Sequence, residues 1–202
     1  MFKQFFILPF FMVSFLHSNC NDLNIVENSF DDEIIGIYLS AIDLSTGSTT
    51  VPIFDYSVIV PDDQSCNSFH INYTIEILSP DLGFNSNFVF AEGGFTVSEI
   101  PKNVRNIQFK NTDLSFSTQY LPCGARFQMD PGIIVNADNS SIRSVIMQTG
   151  KIPNGTYKFK FSITGGEATI SKSVEIYEPI SFELIGPGGD ISEIKENIIA
   201  TS

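Results

Sequence analysis

The sequence predicts an all-β chain folded as an antiparallel β-sandwich, on three observations. Residues 152–163 read IPNGTYKFKFSI. After the turn chemistry of Pro153, Asn154 and Gly155, the residues Tyr157, Phe159, Phe161 and Ile163 alternate with Lys158, Lys160 and Ser162. A two-residue period puts the aromatics on one face and the lysines on the other, as in a strand with one buried and one wet side. Residues 69–77 repeat the pattern, with Phe69, Ile71, Tyr73, Ile75 and Ile77 opposite His70, Asn72, Thr74 and Glu76. Strand signals then recur every ~10–15 residues with Gly, Pro, Asn or Asp between them, and no helical period interrupts them. Each buried aromatic contributes about 1.5–3 kcal/mol, so a one-residue slip of register would forfeit most of the core.

Residues 21–33 are polar and acidic, end in Asp31-Asp32-Glu33, and read as a tether. Residues 34–44 (IIGIYLSAIDL) are apolar enough for a strand, and STGSTT after them is a loop by composition. Residues 52–60 (PIFDYSVIV) form the next strand, closed by Pro61-Asp62-Asp63. The stretch Ser79-Pro80-Asp81-Leu82-Gly83 is a turn, and residues 87–91 and 95–100 flank Gly93-Gly94, which predicts a hairpin. Residues 106–110 and 114–118 read as short strands around Asn111-Thr112-Asp113, and residues 121–124, with Pro122, as a connection. Strands at 133–135 and 142–149 precede the organising strand, and 168–177 follows it after Gly165-Gly166. Residues 179–185 (PISFELI) and the sharp turn Gly186-Pro187-Gly188-Gly189-Asp190 look like the start of a second sandwich. Asp190 capping a short helix through Ile191, Ile194 and Ile198 is the alternative. The organisation expected is a leader at 1–20, a tether at 21–33, a sandwich at 34–178 with its core at 51–178, and a linker with a truncated second β-domain at 179–202.

Lys3 followed by the apolar run from Phe5 to Leu16 has the form of a secretory signal and is too short to span a bilayer as a helix. Residues 1–19 hold no acid and one Lys, so the remainder carries 10 − 23 = −13 from the chain's 11 basic and 23 acidic residues. Such a balance repels nucleic acid and anionic lipid. The residues Leu16-His17-Ser18-Asn19-Cys20 resemble a bacterial lipoprotein box, with His17 where an aliphatic residue is usual. The resemblance implies lipidation of Cys20 and a membrane anchor; ordinary cleavage nearby is the alternative. Cys66 and Cys123 then remain as an even pair, and a secreted chain makes a disulfide between them the expectation. Closing that loop of 123 − 66 = 57 residues would stabilise by about 4 kcal/mol.

The chemistry-bearing residues are sparse. Acyl transfer needs a nucleophile, a base and an orienting group. His70 is the one histidine after the leader, it falls on a polar strand face, and no GxSxG is present. Asp62, Asp63, Glu76 and Glu92 are carboxylates without a distinctive setting for glycoside hydrolysis. Asp31-Asp32-Glu33 and Asp62-Asp63 lack the ordered spacing of a calcium loop. No catalytic, cofactor or metal residue is assigned. The chain has no Trp, so Tyr38, Tyr56 and Tyr120 are the available substitutes for a sugar-stacking platform, although core or edge packing is the preferred reading of all three. Asn72-Tyr73-Thr74, Asn139-Ser140-Ser141 and Asn154-Gly155-Thr156 match N-glycosylation acceptors.

The run Ile152-Pro153-Asn154-Gly155-Thr156-Tyr157-Lys158-Phe159 resembles a Leu-Pro-x-Gly-x-Tyr motif of immunoglobulin-like and fibronectin-III-like modules in Bacteroidota-type surface and secretion-associated proteins. Asn111-Thr112-Asp113-Leu114 and the segment from Pro179 to Gly189 occur in similar order in the TANFOR modules, so the likeness spans residues 51–189. It implies an extracytoplasmic immunoglobulin-like sandwich, often one of several in a long chain, and carries over no catalytic residue. The function expected is therefore a non-enzymatic module of a cell-surface or secreted protein, for display, adhesion or protein–protein interaction. Its partners would be other envelope proteins or further domains of the same chain. A carbohydrate-binding module or an accessory domain of a secreted hydrolase is the alternative, with polysaccharide as ligand.

Overall fold

In the computed structural model, residues 20, 22–43, 48–62, 66–131, 134–135, 139–164 and 168–178 are described. They form β1 (Asn24–Phe30), β2 (Glu33–Ile35), β3 (Ile42–Asp43), β4 (Ser48–Thr49), β5 (Phe54–Ile59), β6 (Ser68–Ser79) and β7 (Phe84–Ser98). After these come β8 (Asn106–Lys110), β9 (Arg126–Met129), β10 (Ile134–Val135), the helix α1 (Ser140–Thr149), β11 (Gly155–Ile163) and β12 (Thr169–Tyr177). One sheet has the order β1-β5-β8, and the larger one runs β10-β7-β6-β11-β12-β2 with β9 also on β7. Pairing is antiparallel except between β12 and β2. The chain starts in the small sheet as β1, crosses as β2 to lie parallel to β12, forms the separate β3-β4 pair, returns to the small sheet as β5, passes to the large sheet as β6 and β7, comes back as β8, and ends in the large sheet with β9 to β12. That path is the immunoglobulin-like, all-β sandwich.

The organising strand is central. β11 pairs with β12 on one side and with β6 on the other, Phe161 lying opposite both Ile170 and Tyr73. Its inward residues Tyr157, Phe159, Phe161 and Ile163 are buried. Across the interface, the Phe161 ring stands 5.0 Å from Phe54 and 5.5 Å from Tyr56, while Phe95 stands 5.4 Å from Phe109. Edge-to-face rings at these spacings are attractive beyond the area they bury, so phenylalanine fills the role that Trp often has in such cores. The buried Tyr157 keeps its hydroxyl satisfied by donating to the Pro153 carbonyl, 2.8 Å away. This is a tyrosine corner, a bond from the start of a central strand back to the connection before it. It explains why Tyr157 follows Pro153 at this interval. Burial raises the pKa of Tyr157 and Tyr56, and burial with the Asp130 charge pushes Tyr73 up to about 12.

Several expectations need correction. The polar stretch read as a tether holds β1 and the start of β2. β1 is an edge strand: it buries Ile25 beside β5, with Leu23 buried just before it, and leaves Asn24, Val26, Asn28 and Ser29 in water, so its composition reads as polar. The body therefore begins before residue 34, and well before 51. The apolar segment 34–44 is not one strand, because Gly36 takes a left-handed φ of 56° and a 3₁₀ turn follows at Leu39–Ala41. The Gly93-Gly94 hairpin is absent; β7 runs straight through it, paired residue by residue with β6. Residues 114–118 form turns, and residues 142–149 belong to α1. The Asn139 side chain accepts from the Ser141 amide at the helix start, and Gly150 ends it in a left-handed conformation. Those caps outweigh the β-branched residues between them. Residues 1–19 of the expected leader and residues 179–202, expected to open a second domain, lie outside the described residues.

Candidate functional site

Side chains alternate across a sheet, so the buried Phe69, Ile71, Phe95, Val97, Phe127 and Met129 oblige their neighbours on β6, β7 and β9 to face out. Register aligns those neighbours in rows. His70 pairs with Thr96 and Thr96 with Gln128; Ser68 pairs with Ser98, Ser98 with Arg126, and Arg126 with Tyr120. The result is a polar platform on the outer face of the large sheet.

His70 is the hub at one end of it. Its Nε2 lies 2.8 Å from Asp130 Oδ2 and its Nδ1 2.8 Å from Thr164 Oγ1, and Asn72 Nδ2 donates to the same Thr164 oxygen at 2.7 Å. One tautomer satisfies every contact: Nε2–H donates to Asp130, and Nδ1 accepts the threonine hydroxyl proton. Gly94 makes the room, since a Cβ there would stand 2.5 Å from Asp130 Oδ2 and 2.8 Å from the His70 ring. Backbone bonds from Asp130 N to Gly94 O and from Thr164 N to His70 O complete the network. Hydroxyl, imidazole and carboxylate stand in the order of an acyl-transfer relay. Here the hydroxyl oxygen is a junction that also accepts from Asn72, and the network stitches the exits of β9 and β11 to β6.

At the other end the face dips. Phe116, Thr118, Gln119 and Tyr120 from the preceding loop and Arg126, Phe127, Gln128 and Met129 from β9 line a depression of about 380 Å³. Tyr120 is 60% and Phe116 51% exposed. Residues 119–121 run beside β9 with Leu121 N bonded to Ala125 O and Phe127 N to Gln119 O, so this stretch of edge is closed by the chain itself. Arg126 Nη1 donates to Glu99 Oε1 at 3.1 Å. Glu99 takes a φ of 52°, a left-handed conformation that costs a residue with a side chain energy.

The cysteines pair differently from expectation. Cys66 is bonded to Cys20, Cα atoms 5.0 Å apart, and Cys123 is free in the turn at 121–125. The start of β1 places Cys20 beside the approach to β6 at a separation a disulfide can bridge. The sequence offered no register for that contact while 21–33 read as a tether. A sulfur in a disulfide cannot also carry a thioether-linked lipid, so the two uses of Cys20 exclude each other.

Of the three tyrosines, Tyr56 is a core residue, Tyr38 is exposed with the Lys151 Nζ 4.3 Å above its ring, and Tyr120 rims the depression. Glu76 binds Lys160 and Asn87, Glu92 is exposed, Asp62 stands beside Arg105, and Asp63 lies outside the described residues. The Asp31 side chain accepts from the Glu33 amide. Among the described residues no three His, Cys, Asp or Glu side chains gather as a metal set, and no helix is long and apolar enough to cross a membrane. Sequence reasoning missed β9, and with it Arg126 and Gln128. The alternation of Ala125, Phe127 and Met129 with Arg126 and Gln128 was the available signal. No family model, no curated protein and no solved structure matches the chain. The fold defines its class, an immunoglobulin-like β-sandwich with a polar outer platform.

Proposed function

We propose that the chain is a non-enzymatic, extracytoplasmic β-sandwich module of a secreted or cell-surface protein, working in display, adhesion or protein–protein interaction. The observation that carries this reading is the Cys20–Cys66 bridge, which ties the first described residue to the approach of β6. Disulfides persist outside the reducing cytosol, and sandwiches exposed there gain from being stapled. The secretory form of the leader and the likeness to Bacteroidota-type modules point the same way. An envelope location would bring further domains of the same chain or neighbouring surface proteins into contact with its loops and outer face. Tyr120 and Phe116, both exposed beside polar side chains, favour the second reading, a carbohydrate-binding module or accessory domain of a secreted hydrolase.

Non-reducing peptide mapping of protein taken from its native host, with thiols blocked at lysis, tests the location. A Cys20–Cys66 peptide in the envelope or medium fraction is expected. Recovery of both as free thiols in the cytosolic fraction would sink the reading, and an acylated Cys20 would replace the bridge by a lipid anchor.

A further inference from the structure

We propose that the depression between residues 116–120 and β9 binds a neutral oligosaccharide, with one sugar ring stacked on Tyr120. The inference rests on the module reading only in that the protein must meet glycans outside the cell.

The lining selects the ligand class. A pyranose offers a face of C–H bonds and a rim of hydroxyls. The C–H face is weakly positive and suits the negative face of an aromatic ring, which Tyr120 and Phe116 leave in water. The rim needs groups that both donate and accept. Gln119 and Gln128 supply amides, and Thr118 supplies a hydroxyl. Thr96, next in the row beyond Gln128, extends the polar surface toward His70.

Three other classes fit less well. An anion would require a cation, and Arg126, the lining's cation, is bonded to Glu99. The chain's net charge of −12 also repels polyanions. A peptide strand would require an open edge at the start of β9, and there residues 119–121 already take the Phe127 N–H and the Ala125 carbonyl. A purely apolar ligand would desolvate Gln119, Gln128 and Thr118 without partners.

Isothermal titration of the full purified chain with cellohexaose, maltohexaose, xylohexaose and mannohexaose tests the proposal, with hexagalacturonate as the anionic comparison. At least one neutral hexasaccharide is expected to bind with a Kd of about 1 mM or tighter. Tyr120→Ala should weaken it roughly tenfold, Tyr120→Phe should retain it, and Gln128→Ala should weaken it with an unchanged melting temperature. Binding of hexagalacturonate alone, equal binding by Tyr120→Ala, or no binding by any neutral probe at ~10 mM would overturn the inference. If the disulfide is found in the envelope fraction and no neutral probe binds, the glycan site falls and the module stands. If a probe binds through Tyr120 and the cysteines are cytosolic thiols, the site stands and the location falls.

Discussion

The centre and the rim of the large sheet are built on different terms. β11 has a neighbour on each side and a sheet above it, so its alternating residues are all assigned by burial. β9 has four residues, one strand neighbour, and a loop laid along its free side. At the centre the inward ring decides stability and the outward lysines are replaceable. At the rim the outward residues hold the chemistry, and their placement depends on backbone bonds from a loop that has no periodicity of its own. A substitution should therefore cost stability at the centre and recognition at the rim.

The largest break in that comparison is Phe161→Ala. It removes the ring that meets Phe54, Tyr56, Tyr73 and Phe109, and about 3–5 kcal/mol should disappear from the urea unfolding free energy. An unchanged midpoint would mean that the two sheets do not close on β11. Alkaline unfolding comes next. The buried tyrosines have raised pKa values, Tyr73 from 10.0 to about 12, so their neutral forms favour the folded state. Their stabilisation is complete below pH ~10 and is lost as pH rises through the folded-state values, which for Tyr73 means toward ~12, because the unfolded chain ionises first. The loss should be on the order of 2 kcal/mol for Tyr73; a flat stability profile across pH 10–12 would contradict its burial.

Gly94→Ala sharpens the contrast from the side of the rim. Its Cβ would displace the Asp130–His70 pair and should cost roughly 1–3 kcal/mol, with the His70 ring resonances shifted in NMR spectra. Retention of those resonances would show that the pair does not need the gap. The smallest effect has the opposite sign. The Tyr56 hydroxyl is buried without a hydrogen-bond partner, so Tyr56→Phe should stabilise the chain by about 1 kcal/mol in the same urea measurement. A loss instead would reveal a hydroxyl partner such as a bound water.

Where burial dominated, the reading from sequence carried through. The boundaries of β5, β6, β11 and β12 lie within a few residues of expectation, because a wrong register would expose Phe54, Ile71 or Phe161. It failed where another force won. Gly93-Gly94 reads as a turn by residue type, yet the glycine at 94 serves to admit two side chains. Ile142 and Val145 read as strand residues by β-propensity, yet the caps at Asn139 and Gly150 make a helix. Of the candidate site, Tyr120 reads from the sequence only as one of three candidate stacking tyrosines for which packing is the preferred reading, and its exposure, like Arg126, Gln128 and the Asp130–His70–Thr164 network, came from the fold.

By itself the sequence determined that this chain is a stack of antiparallel strands with aromatic inner faces. Periodicity is a local property, and the free energy of burying it is large enough to leave one answer. Tertiary structure alone decided which cysteines meet, that a polar stretch becomes the first strand, and that residues from β6, β7, β9 and two loops share one outer face. Those contacts join positions distant in the chain through strand order and register, and neither is encoded in any single stretch of residues.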